Sequence, residues 1–450
     1  MFSKILIANR GEIAVRIIRA CRELDIKTVA VYSEADESCL HVQLSDEKAC
    51  IGPPMSSKSY LNMGAIIQAA KESGAQAVHP GYGYLAESED FAKACQQEGL
   101  VFIGPTPDNL RLAGDKITAK NRVRDAGVPV IPSSAGGVKT EDEALALSED
   151  MGYPVMIKAS GGGGGRGIRV CLEREALMEE FSVAGMEAGA AFGKDELYLE
   201  KYITHPRHIE FQVLADASGH VIHLGERECT IQRRYQKLIE ESPSPALSEP
   251  LREAMGRAAV TAAEAVGYFN AGTVEFLMDK DGHFYFMEIN ARIQVEHPVT
   301  ELVTGIDLVK EQIRLAFGED LGYTSHDVQR RGWAIECRIN AEDPDRNFLP
   351  SPGVIEAYVP PAGFGVRLDT HLYQGYELPI YYDSLIAKLI SYDLTRHGAI
   401  GVMKRALREF VVKPLKTTIP LYLKVMDDPF FQKGDFDTGF IEKFLPEEED

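Results

Sequence analysis

Apolar and polar positions switch between two periods along the first third of the chain. Residues 4–9, Lys-Ile-Leu-Ile-Ala-Asn, form a short apolar run suited to a buried strand, and Ile13, Ile17, Cys21 and Leu24 then mark one helical face. The pattern predicts further strands over residues 28–32, 75–79 and 100–104, with helices over residues 60–72 and about 88–98. A βαβαβαβ order implies an open, mostly parallel sheet and an α/β class. The first turn, Asn9-Arg-Gly-Glu12, lacks the Gly-x-Gly-x-x-Gly spacing, which argues against a dinucleotide site of the usual kind.

A boundary is expected near Pro105-Thr-Pro107, and a helix over residues 115–126. A small unit follows over about residues 133–203: a helix after Thr140, a strand over 153–159, a glycine run, a second helix and a strand over 196–202. A β-rich stretch has strands at 208–215 and 221–226. From Gly332 a third region, rich in Gly and Pro, carries short strands and a helix over residues 399–410. The expected division is 1–114, 115–330 and 331–446, with α+β character in the middle region.

The most informative alternation lies between Phe284 and His297. Glu288, Asn290, Arg292, Gln294 and Glu296 are polar, and Ile289, Ala291, Ile293 and Val295 lie between them. An extended chain would put the apolar set on one face and the charged set on the other. Upstream, Asp281-Gly282 is a preferred two-residue hairpin turn. In that register Lys280 faces His283 and Glu275 faces Glu288. Facing like charges destabilise a sheet unless something neutralises them. Two carboxylates and the Asn290 carbonyl suit Mg²⁺; two solvated surface glutamates are the alternative.

At 450 residues, 45% of them hydrophobic, the chain can bury more than one core. A net charge of −20 argues against a nucleic-acid scaffold, which wants an excess of Lys and Arg. Seven scattered cysteines without a Cys-x-x-Cys pair fit reduced thiols and argue against a zinc site or a disulfide framework. No leader segment and no spanning apolar run are readable, so a cytoplasmic location without a membrane partner is expected.

Other candidate chemistry is distributed along the chain. Ser160-Gly-Gly-Gly-Gly-Gly-Arg-Gly167 follows a predicted strand ending at Lys158-Ala159. Consecutive glycines can bring backbone N–H groups up to phosphate oxygens and can serve as a lid. Lys116 and Lys158 could neutralise phosphate. Glu200 could accept from an exocyclic amine while the neighbouring backbone pairs with a purine edge. His208 reads as a structural histidine. The cations of Ile231-Gln-Arg-Arg-Tyr-Gln-Lys237 could bind an anion or pair with the acidic Gly225-Glu-Arg-Glu228.

Several segments occur together in one order: Ile7-Ala-Asn-Arg-Gly-Glu-Ile13, His79-Pro-Gly-Tyr-Gly83, the glycine run, Gln232-Arg-Arg-Tyr-Gln-Lys237, Glu288-Ile-Asn-Ala-Arg-Ile-Gln-Val-Glu-His-Pro298, Arg338-Ile-Asn-Ala-Glu-Asp343 and Phe348-Leu-Pro-Ser-Pro-Gly353. With them, nearly the whole chain resembles biotin carboxylase, the ATP-grasp component of biotin-dependent carboxylases. The resemblance implies a Rossmann-like N-terminal domain, an ATP-grasp domain with a mobile glycine-rich lid, and a C-terminal domain that completes the site. It implies a ligase that activates bicarbonate with ATP to carboxyphosphate and carboxylates biotin on a separate carrier protein.

Matched motif by motif, the resemblance puts Lys116, Lys158 and the backbone of Gly164 and Gly165 on ATP phosphates. Glu200, Lys201, Ile203, His208 and Gln232 would surround the adenosine. Glu275, Glu288 and Asn290 would hold Mg²⁺ or Mn²⁺. Lys237, Arg292, Gln294 and the Val295 backbone would hold bicarbonate, Glu296 would be its general base, and Arg338 would stabilise the biotin enolate. Tyr235 stands where family members often have His, near the ribose. Lys404, in a partial Val402-Met-Lys-Arg405 match to a biotinylation motif, reads as a surface lysine. The implied partners are therefore a separate biotin carboxyl carrier protein and carboxyltransferase subunits, with a homodimer as the usual assembly. Acetyl-CoA carboxylase, and with it fatty acid biosynthesis, is the default assignment; pyruvate or another 2-oxoacid is the alternative acceptor. A carbamoyl-phosphate-forming ligase and a non-catalytic nucleotide sensor are the competing classes.

Overall fold

The computed structural model describes residues 1–134, 136–159, 168–192 and 197–445. The glycine run lies outside the described residues, and so do Gly164 and Gly165. The N-terminal region is a five-stranded parallel sheet in the order Glu47–Cys50, Lys27–Tyr32, Lys4–Ile7, Ala77–His79, Val101–Phe102. The strand Glu47–Cys50 was not expected. It is a mostly exposed edge strand that the backbone ladder holds, so it carries no apolar run to read. The helix Gly11–Glu23 buries Ile13, Ile17 and Cys21 as its spacing predicts. The Asn9 side-chain amide donates to the carbonyls of Pro80 and Tyr82, 2.7 Å each, and ties the His79–Gly83 loop to the first turn. Gly81 (φ +64°) permits the approach: a Cβ there would meet the Asn9 amide at 3.0 Å.

The small unit is a three-stranded antiparallel sheet, Ile168–Cys171, Val155–Ala159 and Leu197–Lys201, under the helices Glu141–Met151 and Arg174–Phe192. Val155, Ile157, Cys171, Leu177, Leu197 and Leu199 form its own core. The strand Ile168–Cys171 was not foreseen because only four residues separate the glycine run from the next turn.

The largest element is an eight-stranded antiparallel sheet. Its order is Phe284–Asn290, Asn270–Met278, Arg207–Ala215, Val221–Arg233, Gln236–Ser242, Trp333–Asn340, Leu385–Asp393, Val366–Thr370. The sheet runs without a break across the expected boundary at 330/331, since Ile239 pairs with Cys337. Residues from the third region therefore stand on the same surface as those from the second. No helix among the described residues is long and apolar enough to cross a membrane.

The hairpin that carries Glu275 and Glu288 differs from its expected geometry in two ways. Asp279, not Lys280, faces His283, giving a three-residue connection with Gly282 at φ +84°. The Asp279 carboxylate accepts the N–H groups of Asp281 and His283, both at 2.9 Å, and builds that longer turn. The register is then off by one through Met278–Phe284 and Phe276–Phe286, until a bulge at Met287 restores it and Glu275 pairs with Glu288. The strand also ends at Asn290, so the polar alternation beyond it is not that of a sheet face. Ala291 and Ile293 are buried as expected, but Gln294 and Glu296 are buried too, in a loop leading to the helix His297–Thr304.

Candidate active site

The five-stranded sheet, the small unit and one face of the eight-stranded sheet enclose a cleft of about 2610 Å³. That exceeds the roughly 300–1,000 Å³ of a pocket for one small ligand. At one end, Asp115 caps the helix Lys116–Asp125 by accepting the Thr118 N–H at 3.1 Å. The cap directs Lys116 to Glu288 (Nζ–Oε2 2.5 Å) and, one turn later on the same face, Lys120 to Glu200 (2.6 Å). Lys158, diagonal to Glu200 on the neighbouring strand, pairs with its other oxygen. Burial alone would raise the Glu200 carboxyl, but Lys158 and Lys120 hold it below its ordinary value. Burial also lowers Lys120, although Glu200 opposes the shift.

At the other end, Lys237 is nearly enclosed by carboxylates: Glu210 at 2.5 Å, Glu275 at 2.9 Å and Glu296 at 2.7 Å. Burial would lower its ammonium, but Cys229 and those three carboxylates hold it well above the ordinary lysine value. Glu296 is completely buried, and Arg338 Nη2 lies 2.9 Å from its second oxygen. Burial would raise the Glu296 carboxyl; Lys237, Arg338 and Arg227 hold it well below the carboxylate range. Glu275 is held low in the same way, against its burial, by Lys237 and His208, whose Nε2 is 2.9 Å away. Arg338 in turn reaches Glu240 (2.6 Å) across the sheet that joins the second and third regions.

Between the two ends, Arg292 spans the loop. Its Nε donates to Glu87 at 3.0 Å, one terminal nitrogen to the Gln294 amide oxygen at 2.7 Å and the other to the Asn290 amide oxygen at 3.3 Å. Gln294 donates onward to Glu275 at 3.4 Å. Asn290, Arg292 and Gln294 are thus connected through Glu275 and Lys237 to Glu296, while Glu288 pairs with Lys116.

Three family models match successive parts of the chain. Residues 1–110 match that of the biotin carboxylase N-terminal domain, residues 115–324 that of the carbamoyl-phosphate synthase L chain ATP-binding domain, and residues 336–443 that of the biotin carboxylase C-terminal domain. Biotin carboxylase 1 of Bacillus subtilis is 56% identical, covering 99% of both chains. The chain belongs to the biotin carboxylase family. A pyruvate carboxylase subunit of Methanothermobacter thermautotrophicus is 54% identical over 99% of this chain and 90% of its own. A solved structure of the biotin carboxylase domain dimer of Hydrogenobacter thermophilus 2-oxoglutarate carboxylase, with MgADP, ADP and bicarbonate, superimposes with a TM-score of 0.91. It is 51% identical and covers 98% of each chain.

On this biotin carboxylase framework, Lys116, Lys158, Glu200, Lys201, Ile203, His208, Gln232, Tyr235, Glu275, Glu288, Asn290, Arg292, Gln294, Val295, Lys237 and Arg338 all line the cleft. Some sit differently from their expected roles. The Lys201 ammonium turns away to the carbonyls of Gly152 and Tyr153, and its N–H donates to Pro132. Both Glu200 oxygens are engaged by lysines, so an amine would have to share them. His208 supports Glu275. Tyr235 is 77% exposed at a two-residue turn whose residues, Arg234 and Tyr235, both have positive φ. In the acidic run, Glu226 pairs with Arg252 and Arg330, and Glu228 with Arg207. Lys404 stands on the helix Arg396–Glu409, half-buried and paired with Asp427.

Sequence reading missed Lys120, Glu87, Glu210, Arg227 and Glu240. Lys120 is one helical turn from Lys116 and Glu210 two residues from His208 on one strand face, and both spacings were readable. Arg227, fully buried on Glu210, Gln212, Thr273 and Thr300, gave no local signal.

Proposed function

We propose that this chain carboxylates biotin on a separate carrier protein, using ATP and bicarbonate by way of carboxyphosphate. The observation that carries the reading is the convergence of Lys237, Arg338 and Glu296 beside the Glu275–Glu288 pair. The donor set fits a divalent cation. Glu275 and Glu288 are neighbours in register, and each is neutralised here by a lysine, Lys237 and Lys116, whose charge a cation would supplement. Glu275, Glu288 and Asn290 would hold Mg²⁺ or Mn²⁺, which when bound supplies charge neutralisation for phosphoryl transfer.

Arg292 presents a planar fork to a planar oxyanion, with Gln294 and the Val295 backbone beside it. Glu296 takes the bicarbonate proton. Its low pKa describes a carboxylate that Lys237 and Arg338 hold between them. Lys237 and Arg338 line the cleft and Glu296 lies buried behind them; an anion arriving against those two cations shares them, loosens their hold and makes Glu296 a stronger base. Arg338 then faces charge developing on the ureido oxygen. In this reading Lys116, Lys120 and Lys158, now paired with Glu288 and Glu200, supply countercharge to the phosphates.

Bicarbonate-dependent ATP cleavage, measured with and without free biotin, tests the reading. Biotin stimulation is the expected result. Ammonia-linked turnover would mean a carbamoyl-phosphate-forming ligase, and binding without turnover a sensor; either refutes it. For the acceptor we propose acetyl-CoA through separate carrier and carboxyltransferase chains. The 54% identity to a pyruvate carboxylase subunit makes a 2-oxoacid the second reading. Identifying the carboxyltransferase that co-purifies decides between them. A homodimer is the proposed assembly, checked by light scattering.

A further inference from the structure

Lys388 is a fully buried lysine that none of the roles above uses. It stands on the strand Leu385–Asp393, directly across from Arg338 on one side and Asp369 on the other, so all three project from the same face of the sheet. Its ammonium reaches oxygens from three separate elements. The Val295 carbonyl accepts at 3.0 Å, Glu12 Oε2 of the first helix lies at 3.3 Å, and Asp369 Oδ2 lies at 4.0 Å. The other Glu12 oxygen accepts from the Tyr82 hydroxyl, on the loop that Asn9 secures. Asp369 is also clamped by Arg367 at 2.7 Å.

We propose that Lys388 is a positioning residue for the bicarbonate pocket. It holds the Val295 carbonyl and so sets the backbone of the Gln294–Glu296 loop. The proposal rests on the reading that the Val295 backbone and Glu296 take up bicarbonate. That loop is outside any strand: the Gln294 carbonyl is held by His297, its backbone N–H at 3.3 Å and its Nδ1 at 2.8 Å, and the Val295 carbonyl by Lys388. The next residue is the proposed base, and the helix His297–Thr304 begins immediately after it. The ammonium donates to the Val295 carbonyl and stands as the countercharge beside the two carboxylates, without a hydrogen bond to either. The same contact joins all three regions at one atom: Glu12 from the first, Val295 from the second, Lys388 and Asp369 from the third.

The test compares wild type, Glu12→Gln, Lys388→Met and the double variant Lys388→Met/Glu12→Gln. The single Lys388→Met leaves Glu12 buried without its cation and is at risk of misfolding; the double variant removes both charges together. Each folded protein is assayed for KM and kcat with bicarbonate at saturating ATP, for KM with ATP, and for equilibrium MgADP binding. In the folded double variant, kcat/KM for bicarbonate is expected to fall by about 10²-fold relative to Glu12→Gln, as a displacement of about 1 Å in a reacting group would produce. MgADP affinity should stay within about 2-fold, since every lysine and carboxylate proposed for the nucleotide end remains. A general loss of structure would lower both together. An unchanged bicarbonate kcat/KM in the double variant, or an equal fall in MgADP affinity, overturns the proposal. If wild type itself shows no bicarbonate-dependent, biotin-stimulated ATP cleavage, it is the function that fails, and this inference with it.

Discussion

Replacing Glu296 by Gln keeps the size of the side chain and removes its charge and basicity. Two consequences can be separated. The first is chemical: a positioned general base contributes about 10²- to 10⁴-fold, so bicarbonate-dependent turnover should fall by that amount. The second is structural. Breaking a buried ion pair by removing one partner costs about 3–5 kcal/mol when the other is stranded. Neither partner is stranded here, because Lys237 keeps Glu210 and Glu275, and Arg338 keeps Glu240. A loss of about 2 kcal/mol is expected, of the size of charged hydrogen bonds lost and partly replaced by the amide. MgADP binding should change by less than about 3-fold, since the residues proposed for the nucleotide phosphates and base, Lys116, Lys120, Lys158 and Glu200, make no contact with Glu296. The assay is steady-state ATP cleavage with bicarbonate and biotin, beside calorimetric MgADP binding and thermal unfolding. The pH profile adds a further check. Glu296 is held well below the carboxylate range, so in the free enzyme it stays ionised across neutral pH, and the acid limb of wild-type kcat/KM must come from another group. Turnover within about 3-fold of wild type in folded Glu296→Gln would refute Glu296 as the base.

Glu288→Ala should weaken MgADP binding about 10-fold or more while leaving metal-free ADP binding within about 3-fold, because Lys116 loses a competing partner as the cation loses a ligand; an unchanged Mg²⁺ titration refutes the shared-cation hairpin. Tyr235→Ala should change ATP KM by less than about 3-fold, since an exposed turn residue gives little binding energy; a rise beyond about 10-fold restores it as a nucleotide contact. Glu12 is pushed from 4.5 to about 7, first by burial and against Lys388. An acid with a raised folded pKa adds stability that is full below the unfolded value and is lost as pH rises through the folded one. Stability should therefore decline between about pH 4.5 and about 7, and Glu12→Gln should flatten that segment by on the order of 3 kcal/mol, read as unfolding midpoints on either side of the window.

Much of the site was legible because its pieces are local. The alternation around Glu288 and the Asp281-Gly282 turn signal led to the Glu275–Glu288 pair, and the structure contains that pair. The route was not the expected one: a turn one residue longer and a bulge at Met287 cancel. The Asp279 side chain decides the turn, and dipeptide preference does not see it. The edge strand Glu47–Cys50 was invisible because its stabilisation lies in backbone pairing. Arg227 read as one more charge in an acidic run; only its burial against Glu210 shows it to be a support.

The residue spacing determined the kind and order of the elements, since helical and strand periods are properties of neighbours along the chain. Together with the run of motifs it also pointed to the family. What only the tertiary structure decided is which charges answer one another: Glu200 between Lys120 and Lys158, Glu296 between Lys237 and Arg338, Lys388 beneath Val295. The energies that set those pairings depend on separation through space and on removal from water. Residues far apart along the chain acquire both only when the eight-stranded sheet carries the third region onto the second.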